Sequence, residues 1–106
     1  MRIVPSEMKA VLHIFNHDEE LRTKALPFVD ELMNSVDWYS IFRQPFGSGH
    51  TAAIAWAYSL WRDAVEECNP FEMAFFMDAP IRRTVLQAMA IRWRLPSDGV
   101  TVLHVS

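Results

Sequence analysis

The chain has 106 residues, 51% of them hydrophobic, and this length and composition fit one domain with a substantial core rather than a disordered protein. Only three glycines and many helix-forming residues argue against a β-sandwich. The net charge of −3 is too small to indicate a nucleic-acid-coating protein or an acidic tail. We expect a single helical domain over residues 1–106, with extended termini at 1–5 and 100–106.

The sequence also bears on the compartment of the protein. A single cysteine, Cys68, excludes an internal disulfide and a cysteine-only metal site within one chain. The N-terminal residues contain no long apolar run, so we expect no signal peptide. The uncharged stretch 44–61 contains proline and glycine, and its helical part is about half of the roughly 20 residues that a membrane span needs. We expect a cytoplasmic protein with no cofactor and no membrane partner.

The first third of the chain predicts two helices. Apolar residues after Ser6, a favourable N-cap, recur at the i, i+3, i+4 and i+7 spacing of an amphipathic helix that ends near Asn16. Asp18 is placed to cap the second helix, which Pro27 must break or restart. We expect a helical continuation that turns five apolar residues inward: Phe28, Val29, Leu32, Met33 and Val36.

The central element is predicted from about Ser48 to Val65. No charged side chain occurs between Arg43 and Arg62, and the alanines of this stretch favour helix. A short helix from Trp38 to Arg43, capped by Asp37, precedes it, and Ser48 is the expected cap of the central helix. A helix that is apolar on most of its circumference must be covered on more than one side. The sequence therefore predicts an all-α bundle of five or six helices around it.

The remaining third predicts two further helices and one strand. Asn69, Pro70 and Glu72 form a strong helix start, and another helix is expected from Pro80 to about Leu95. The alternating branched residues of 100–105 are typical of a strand. Three interpretations stay open for it: a terminal ribbon with Ile3 and Val4, a mobile tail, or pairing with another chain.

The segment from Phe71 to Met77 is the main candidate for a binding surface. At helical spacing, Phe71, Ala74 and Phe75 share one side, and the remaining apolar residues share the other. We expect the second side to be exposed for a protein partner, since methionine and phenylalanine are favoured at such sites; the alternative is that both sides are buried. The predicted interface consists of Met73, Phe76 and Met77 with the acidic Glu66, Glu67 and Glu72.

A basic segment follows the acidic one and provides an alternative site. Between Ile81 and Arg94 all charged residues are arginines, whereas those of 63–78 are all acidic. Arg82, Arg83 and Arg94 are the candidate phosphate contacts of a nucleic-acid-binding regulator. Arg92 falls on the core side of the predicted helix, where a cation must be paired, and we expect a carboxylate of 63–78 as its partner.

Two histidine arrangements provide an enzymatic alternative. His13 and His17 stand one helical turn apart and could share a metal ion, although no third ligand is evident. Ser48 and His50 suggest a nucleophile and a base, but no carboxylate is obviously placed to orient His50. The Gly-Ser-Gly-His stretch also resembles a phosphate-binding turn, but no lysine follows it, and helix capping explains the same residues.

Taken together, these patterns favour a small non-enzymatic protein-binding module that acts as a regulator or inhibitor by occupying a partner's surface. Phages and other mobile elements encode such proteins against host nucleic-acid-binding or defence proteins. The acidic segment would steer association with a basic partner. A homodimer is equally compatible with the sequence. Nucleic-acid binding through the arginine helix and a metal-dependent or hydrolytic enzyme are the alternatives.

Overall fold

A computed structural model describes residues 3–62 and 70–95 of the chain. Within these residues the protein forms six α-helices, two 3₁₀-helices and one β-hairpin. The α-helices are α1 (Ser6–Phe15), α2 (Glu19–Lys24), α3 (Trp38–Phe42), α4 (Ser48–Arg62), α5 (Pro70–Met73) and α6 (Ala79–Arg92). The 3₁₀-helices are Leu26–Phe28 and Ala74–Phe76, and the strands are β1 (Val29–Asp30) and β2 (Ser35–Val36).

Helix α4 is the centre of the fold. Residues 52–57 are all buried, so α4 is covered around nearly its whole circumference in this stretch. Helices α1 and α6 pack against α4 and against each other, and α5 and α3 cover further sides. The predicted all-α bundle around a buried central helix is confirmed. No helix in the described ranges has both the length and the apolar character needed to cross a bilayer.

Three aspartates cap the starts of helices, and the sequence analysis identifies two of them, Asp18 and Asp37. The Oδ1 atom of Asp18 accepts the Leu21 N–H at 3.0 Å at the start of α2. Asp37 accepts the Ser40 N–H at 3.2 Å in α3, and Asp78 accepts the Ile81 N–H at 2.9 Å in α6. Each of these bonds satisfies an N–H group that has no partner inside its helix.

The start of α4 differs from the prediction. Ser48 is the first helical residue rather than the cap. The residue before it, Gly47, has the carbonyl that accepts both the backbone N–H and the hydroxyl of Thr51, each at 2.9 Å. Gly47 therefore holds the capping position, where glycine is almost as favourable as serine.

The predicted helical continuation after Pro27 is wrong. The chain instead turns through the 3₁₀-helix into a hairpin in which Val29 pairs with Val36. Because β-branched residues favour strands and Pro27 lacks a backbone donor, the helix cannot compete. Leu32 and Met33 lie at the hairpin tip and are exposed instead of turned inward.

The hairpin loop is held by its own side chains and backbone. Oδ1 of Asp30 accepts the Met33 N–H at 3.1 Å, and Asn34 adopts a φ of 51°, the left-handed conformation that asparagine tolerates better than most residues. This hairpin is the only sheet within the described ranges. The predicted terminal ribbon involves residues 100–105, which lie outside them, and Ile3 and Val4 belong to no strand.

Helix α6 ends in a Schellman motif three residues before the predicted end. The Leu95 N–H bonds to the Ala90 carbonyl at 2.8 Å, and the Arg94 N–H bonds to the Ile91 carbonyl at 3.1 Å. The motif forces Arg94 to a φ of 59°, a position that glycine usually occupies.

We expect Arg94→Gly to stabilise the protein by about 1 kcal/mol, because glycine removes the cost of a left-handed side-chain residue. Urea unfolding monitored by circular dichroism measures the difference. As a matched control, Arg83→Gly replaces an exposed arginine inside the same helix and should destabilise by about 0.5–1 kcal/mol. Equal destabilisation by both substitutions would contradict the prediction.

Candidate functional site

The segment 70–77 exposes a different set of side chains from the predicted one. Met77 is only 6% exposed and belongs to the core, and Met73 packs against the core. The exposed residues are Phe71, Phe75 and Phe76, at 68%, 82% and 56%. We call these three phenylalanines the aromatic patch. Phe76, a residue of the predicted apolar interface, is exposed as expected. The prediction that Met77 is also exposed is wrong.

The error has a physical cause in the backbone. The prediction assumed one continuous α-helix, but α5 ends at Met73 and the chain continues as the 3₁₀-helix Ala74–Phe76. A 3₁₀-helix has three residues per turn instead of 3.6, so side chains after Met73 rotate away from their α-helical positions. The extended backbone of Met77 then directs its side chain into the core.

The aromatic patch rests on α4. The Phe71 ring meets the Trp56 ring edge to face, with centroids 4.8 Å apart. At the other end, a Cβ atom added to Gly49 would lie 3.2 Å from the Phe76 carbonyl oxygen, so the backbones approach closely there. The segment thus runs along α4 from Trp56 to Gly49. The Phe75 and Phe76 rings meet at 89°, with centroids 5.8 Å apart.

Two exposed charges of opposite sign accompany the aromatic patch. Glu72 lies in α5, next to Phe71 in sequence. Arg82 extends from α6 and donates from Nη2 to the Ala74 carbonyl at 3.2 Å, which places its guanidinium beside the 3₁₀-helix. The other predicted acidic contacts, Glu66 and Glu67, lie outside the described residues.

The candidate arginines lie at the two ends of α6. Arg82 and Arg83 lie in its first turns and Arg94 lies beyond its end, so Arg82 and Arg94 are roughly 18 Å apart along the axis at 1.5 Å per residue. Nε of Arg92 donates to the Leu60 carbonyl at 2.7 Å. Within the described residues, the partner of Arg92 is thus a backbone carbonyl near the C-terminal end of α4, where the helix dipole favours a cation. Three of the carboxylates expected as its partners, Asp63, Glu66 and Glu67, lie outside the described residues.

His13 in α1 and His17 in the turn after α1 both bond to side chains of α6. Nε2 of His13 lies 2.8 Å from Oε1 of Gln87, and Nδ1 of His17 lies 2.7 Å from the Thr84 hydroxyl. Both distances are those of hydrogen bonds, one from α1 to α6 and the other from the turn after α1 to α6. In the part of the chain that the structure describes, no three His, Cys, Asp or Glu residues are grouped so that they could hold a metal ion.

His50 has two carboxylate neighbours that the sequence analysis missed. Its Nε2 lies 2.6 Å from Oδ2 of Asp18, and its Nδ1 lies 3.1 Å from Oε2 of Glu20. Asp18 precedes His50 by 32 residues, so no local pattern could reveal the contact. Since both ring nitrogens face carboxylates, neither is available to take a proton from Ser48. The predicted nucleophile and base therefore lack the geometry of a hydrolytic pair.

Lys24 completes this group of charges at the start of α4. Its Nζ donates to the Pro45 carbonyl at 2.7 Å, lies 3.7 Å from Oε1 of Glu20 and stands 5.4 Å from the centre of the Phe46 ring. These contacts join α2 to the turn before α4. The charged side chains of Asp18, Glu20, Lys24 and His50 thus contact one another, and we assign them a role in stabilising the fold.

The Asp18 carboxyl responds to this environment. Burial acts to raise its pKa and is the largest single influence. The hydrogen bonds from His50 and the Leu21 N–H, with the positive charges of His50 and His17, outweigh it, so the pKa of Asp18 lies below its usual 3.8.

The polar groups around the histidines and the aromatic patch differ in how far their side chains are already in contact with the rest of the fold. The histidines and the charges around His50 bond to other parts of the fold, whereas the aromatic patch is exposed. The chain matches no protein-family model, and comparison with curated proteins and with solved structures likewise found no significant match. The aromatic patch is the candidate functional site.

We expect Asp18→Asn to destabilise the protein at pH 7 by about 0.5–1 kcal/mol, the usual net contribution of one hydrogen bond between partly exposed side chains. Asparagine is as good a helix cap as aspartate, so the loss measures the bond to His50. Because folding lowers the pKa of Asp18, this stability is present above the usual pKa near 3.8 and is lost as the pH falls below it. Urea unfolding at pH 7 and near pH 2 measures both states.

The control for this prediction is Glu19→Gln, which removes an exposed carboxylate from the first turn of the same helix. It should produce a smaller loss at pH 7, because the structure shows no His50 contact for Glu19. A difference between wild type and Asp18→Asn that is unchanged at low pH would contradict the prediction.

Proposed function

We propose that this chain is a small non-enzymatic protein-binding module that regulates or inhibits another protein by occupying its surface. The observation that carries the proposal is the aromatic patch, in which three neighbouring phenylalanines are each more than half exposed. Phenylalanine is enriched in protein interfaces, where the centre of the contact is apolar.

The size of the aromatic patch supports this proposal. A phenylalanine buries about 150–250 Å² in a core, so the exposed fractions of the three rings leave roughly 400 Å² of apolar surface. The largest apolar patch on a monomeric protein is typically about 300–600 Å² and is often functional. Covering this surface would favour binding by several kcal/mol at about 25 cal/mol per Å², before the costs of association.

The support beneath the aromatic patch also favours binding. Phe71 packs on Trp56, and the backbone at Phe76 is fitted against Gly49. A surface that is already ordered loses less conformational entropy when a partner covers it. Arg82, bonded to the Ala74 carbonyl, provides a polar group beside it, as the rims of interfaces usually have.

The finer parts of the proposal come from the sequence. The acidic run of 63–78 suits a basic partner, such as a nucleic-acid-binding or defence protein of a host cell, and an origin in a phage or other mobile element fits a chain of this kind. We also propose a cytoplasmic location. No specific observation favours the enzymatic or nucleic-acid alternatives, since His50 lacks a free nitrogen and Arg82 and Arg94 lie far apart.

The test compares affinity capture by wild type and by Phe75→Glu from a lysate of the source cell, read by mass spectrometry. We expect at least a tenfold loss of the specific partner with the variant, because a charge at the centre of an apolar contact must be desolvated. Leu32→Glu is the matched control, since Leu32 is 78% exposed at the hairpin tip and lies outside the aromatic patch.

Both variants should keep the unfolding free energy of the wild type within about 0.5 kcal/mol, as is usual for exposed positions. Equal capture by wild type and Phe75→Glu would show that the aromatic patch is not the binding surface. Loss with Leu32→Glu alone would move the binding surface to the hairpin.

A further inference from the structure

His50, in the first turn of α4, is held between two carboxylates. Its Nε2 lies 2.6 Å from Oδ2 of Asp18, and its Nδ1 lies 3.1 Å from Oε2 of Glu20. An ionised carboxylate can only accept hydrogen bonds. Both contacts are therefore hydrogen bonds only when both ring nitrogens carry a proton, which requires the positively charged imidazolium. The neutral ring has a single N–H group and can donate to only one of the two carboxylates.

The other two histidines that the structure describes are not limited in this way. His13 contacts the side-chain amide of Gln87, and His17 contacts the Thr84 hydroxyl. An amide can present its oxygen or its NH₂ group, and a hydroxyl can accept or donate. Each of these partners therefore suits both the charged and the neutral ring. Of the three histidines in the described ranges, His50 alone faces groups that only accept.

We propose that His50 is a pH-sensitive switch between the start of α2 and the start of α4. The charged ring bonds to both carboxylates, and the neutral ring releases Glu20. Histidine is the side chain whose charge ordinarily changes between pH 5 and 8. The contact to Asp18 is the shorter of the two, so the single proton of the neutral ring stays on Nε2 and the contact of Nδ1 to Glu20 is lost.

The charges around His50 also favour release of Glu20 rather than of Asp18. Nζ of Lys24 lies 3.7 Å from Oε1 of Glu20, so this carboxylate keeps a cationic neighbour when His50 becomes neutral. Asp18 is fixed through its other oxygen, Oδ1, which caps α2, and the positive charge of His17 also acts on it. The side chains of His50 and Glu20 are 25% and 39% exposed, so the released carboxylate can be hydrated.

The direction of the pH dependence follows from the number of bonds. The folded state makes one more hydrogen bond with the charged ring than with the neutral ring, whereas the unfolded chain makes neither bond. This stabilisation is complete where the ring is charged and is lost as the pH rises through the range in which histidine titrates. Asp18 sets the acidic limit, because its carboxylate accepts from His50 only while it is ionised. The switch therefore holds α2 against α4 best at mildly acidic pH.

The first test is urea unfolding at pH 5.5 and 8.5 of the wild type and Glu20→Gln. The glutamine amide can accept from the charged ring and donate to the neutral one, so the variant keeps both contacts at either pH. Its lost pairing with Lys24 is the same at both pH values. We expect the urea midpoint of the wild type to fall between pH 5.5 and 8.5 by about 0.3–0.5 M more than that of the variant, as loss of one hydrogen bond gives.

The matched control is Glu19→Gln, which removes the neighbouring exposed carboxylate of the same helix turn. Its midpoint should follow the pH dependence of the wild type, because the structure shows no contact between Glu19 and His50. If the midpoint of Glu20→Gln falls with pH as much as that of the wild type, the inference is overturned.

The second test observes the ring of His50 directly by ¹⁵N NMR of the wild type. We expect both ring nitrogens to be protonated at pH 5.5, and the neutral ring at pH 8.5 to carry its proton on Nε2. A neutral ring protonated on Nδ1 would mean that the ring releases Asp18 instead, and this outcome overturns the inference. Neither test involves the aromatic patch, so the switch and the proposed function can fail separately.

Discussion

The fold depends on the burial of α4 on nearly all sides. Its residues 52–57 are all buried, and four of them are alanines, so neighbouring helices can approach its backbone closely. An α-helix tolerates such surroundings because its backbone groups bond to one another. It cannot, however, be covered by one neighbour. Helices α1 and α6 supply two sides, α3 supplies an aromatic side, and the short segment 70–77 covers the stretch from Gly49 to Trp56.

Segment 70–77 covers α4 as a single thin layer, and this explains why the phenylalanines of the aromatic patch are exposed. Segment 70–77 is a single turn of α-helix followed by a 3₁₀-helix, so it is one element thick. Met73, Ala74 and Met77 face the core, whereas the three phenylalanine side chains of the aromatic patch are each more than half exposed. The same change of helix type that turns Met77 inward therefore leaves the phenylalanines outward. Core packing and surface exposure in this segment have one common cause.

Local signals predicted much of this architecture, and what was missed has one cause in contacts distant in sequence and another in a wrongly assumed helical period. Asp18, Asp37 and Asp78 cap helices because an aspartate can bond to an N–H three residues later, an interaction contained within one turn. The contact between Asp18 and His50 depends on how α2 docks at the start of α4, which no spacing encodes. The hairpin was missed because its apolar residues fit a helical period, and the exposed side of 70–77 was missed because that period assumed α-helix throughout.

The phenylalanines of the aromatic patch contribute little to the core that their neighbours complete. Met77 is buried, and Met73 and Ala74 pack against the core, so the segment would keep its inner contacts with polar residues at positions 75 and 76. Phe75 is 82% exposed and gains little burial free energy on folding, whereas Phe76 is 56% exposed and meets the Phe75 ring edge to face. Phe71 differs in part because it packs on Trp56. Burial in the core therefore explains little of the phenylalanine at position 75, and the partner surface that we propose would cover it.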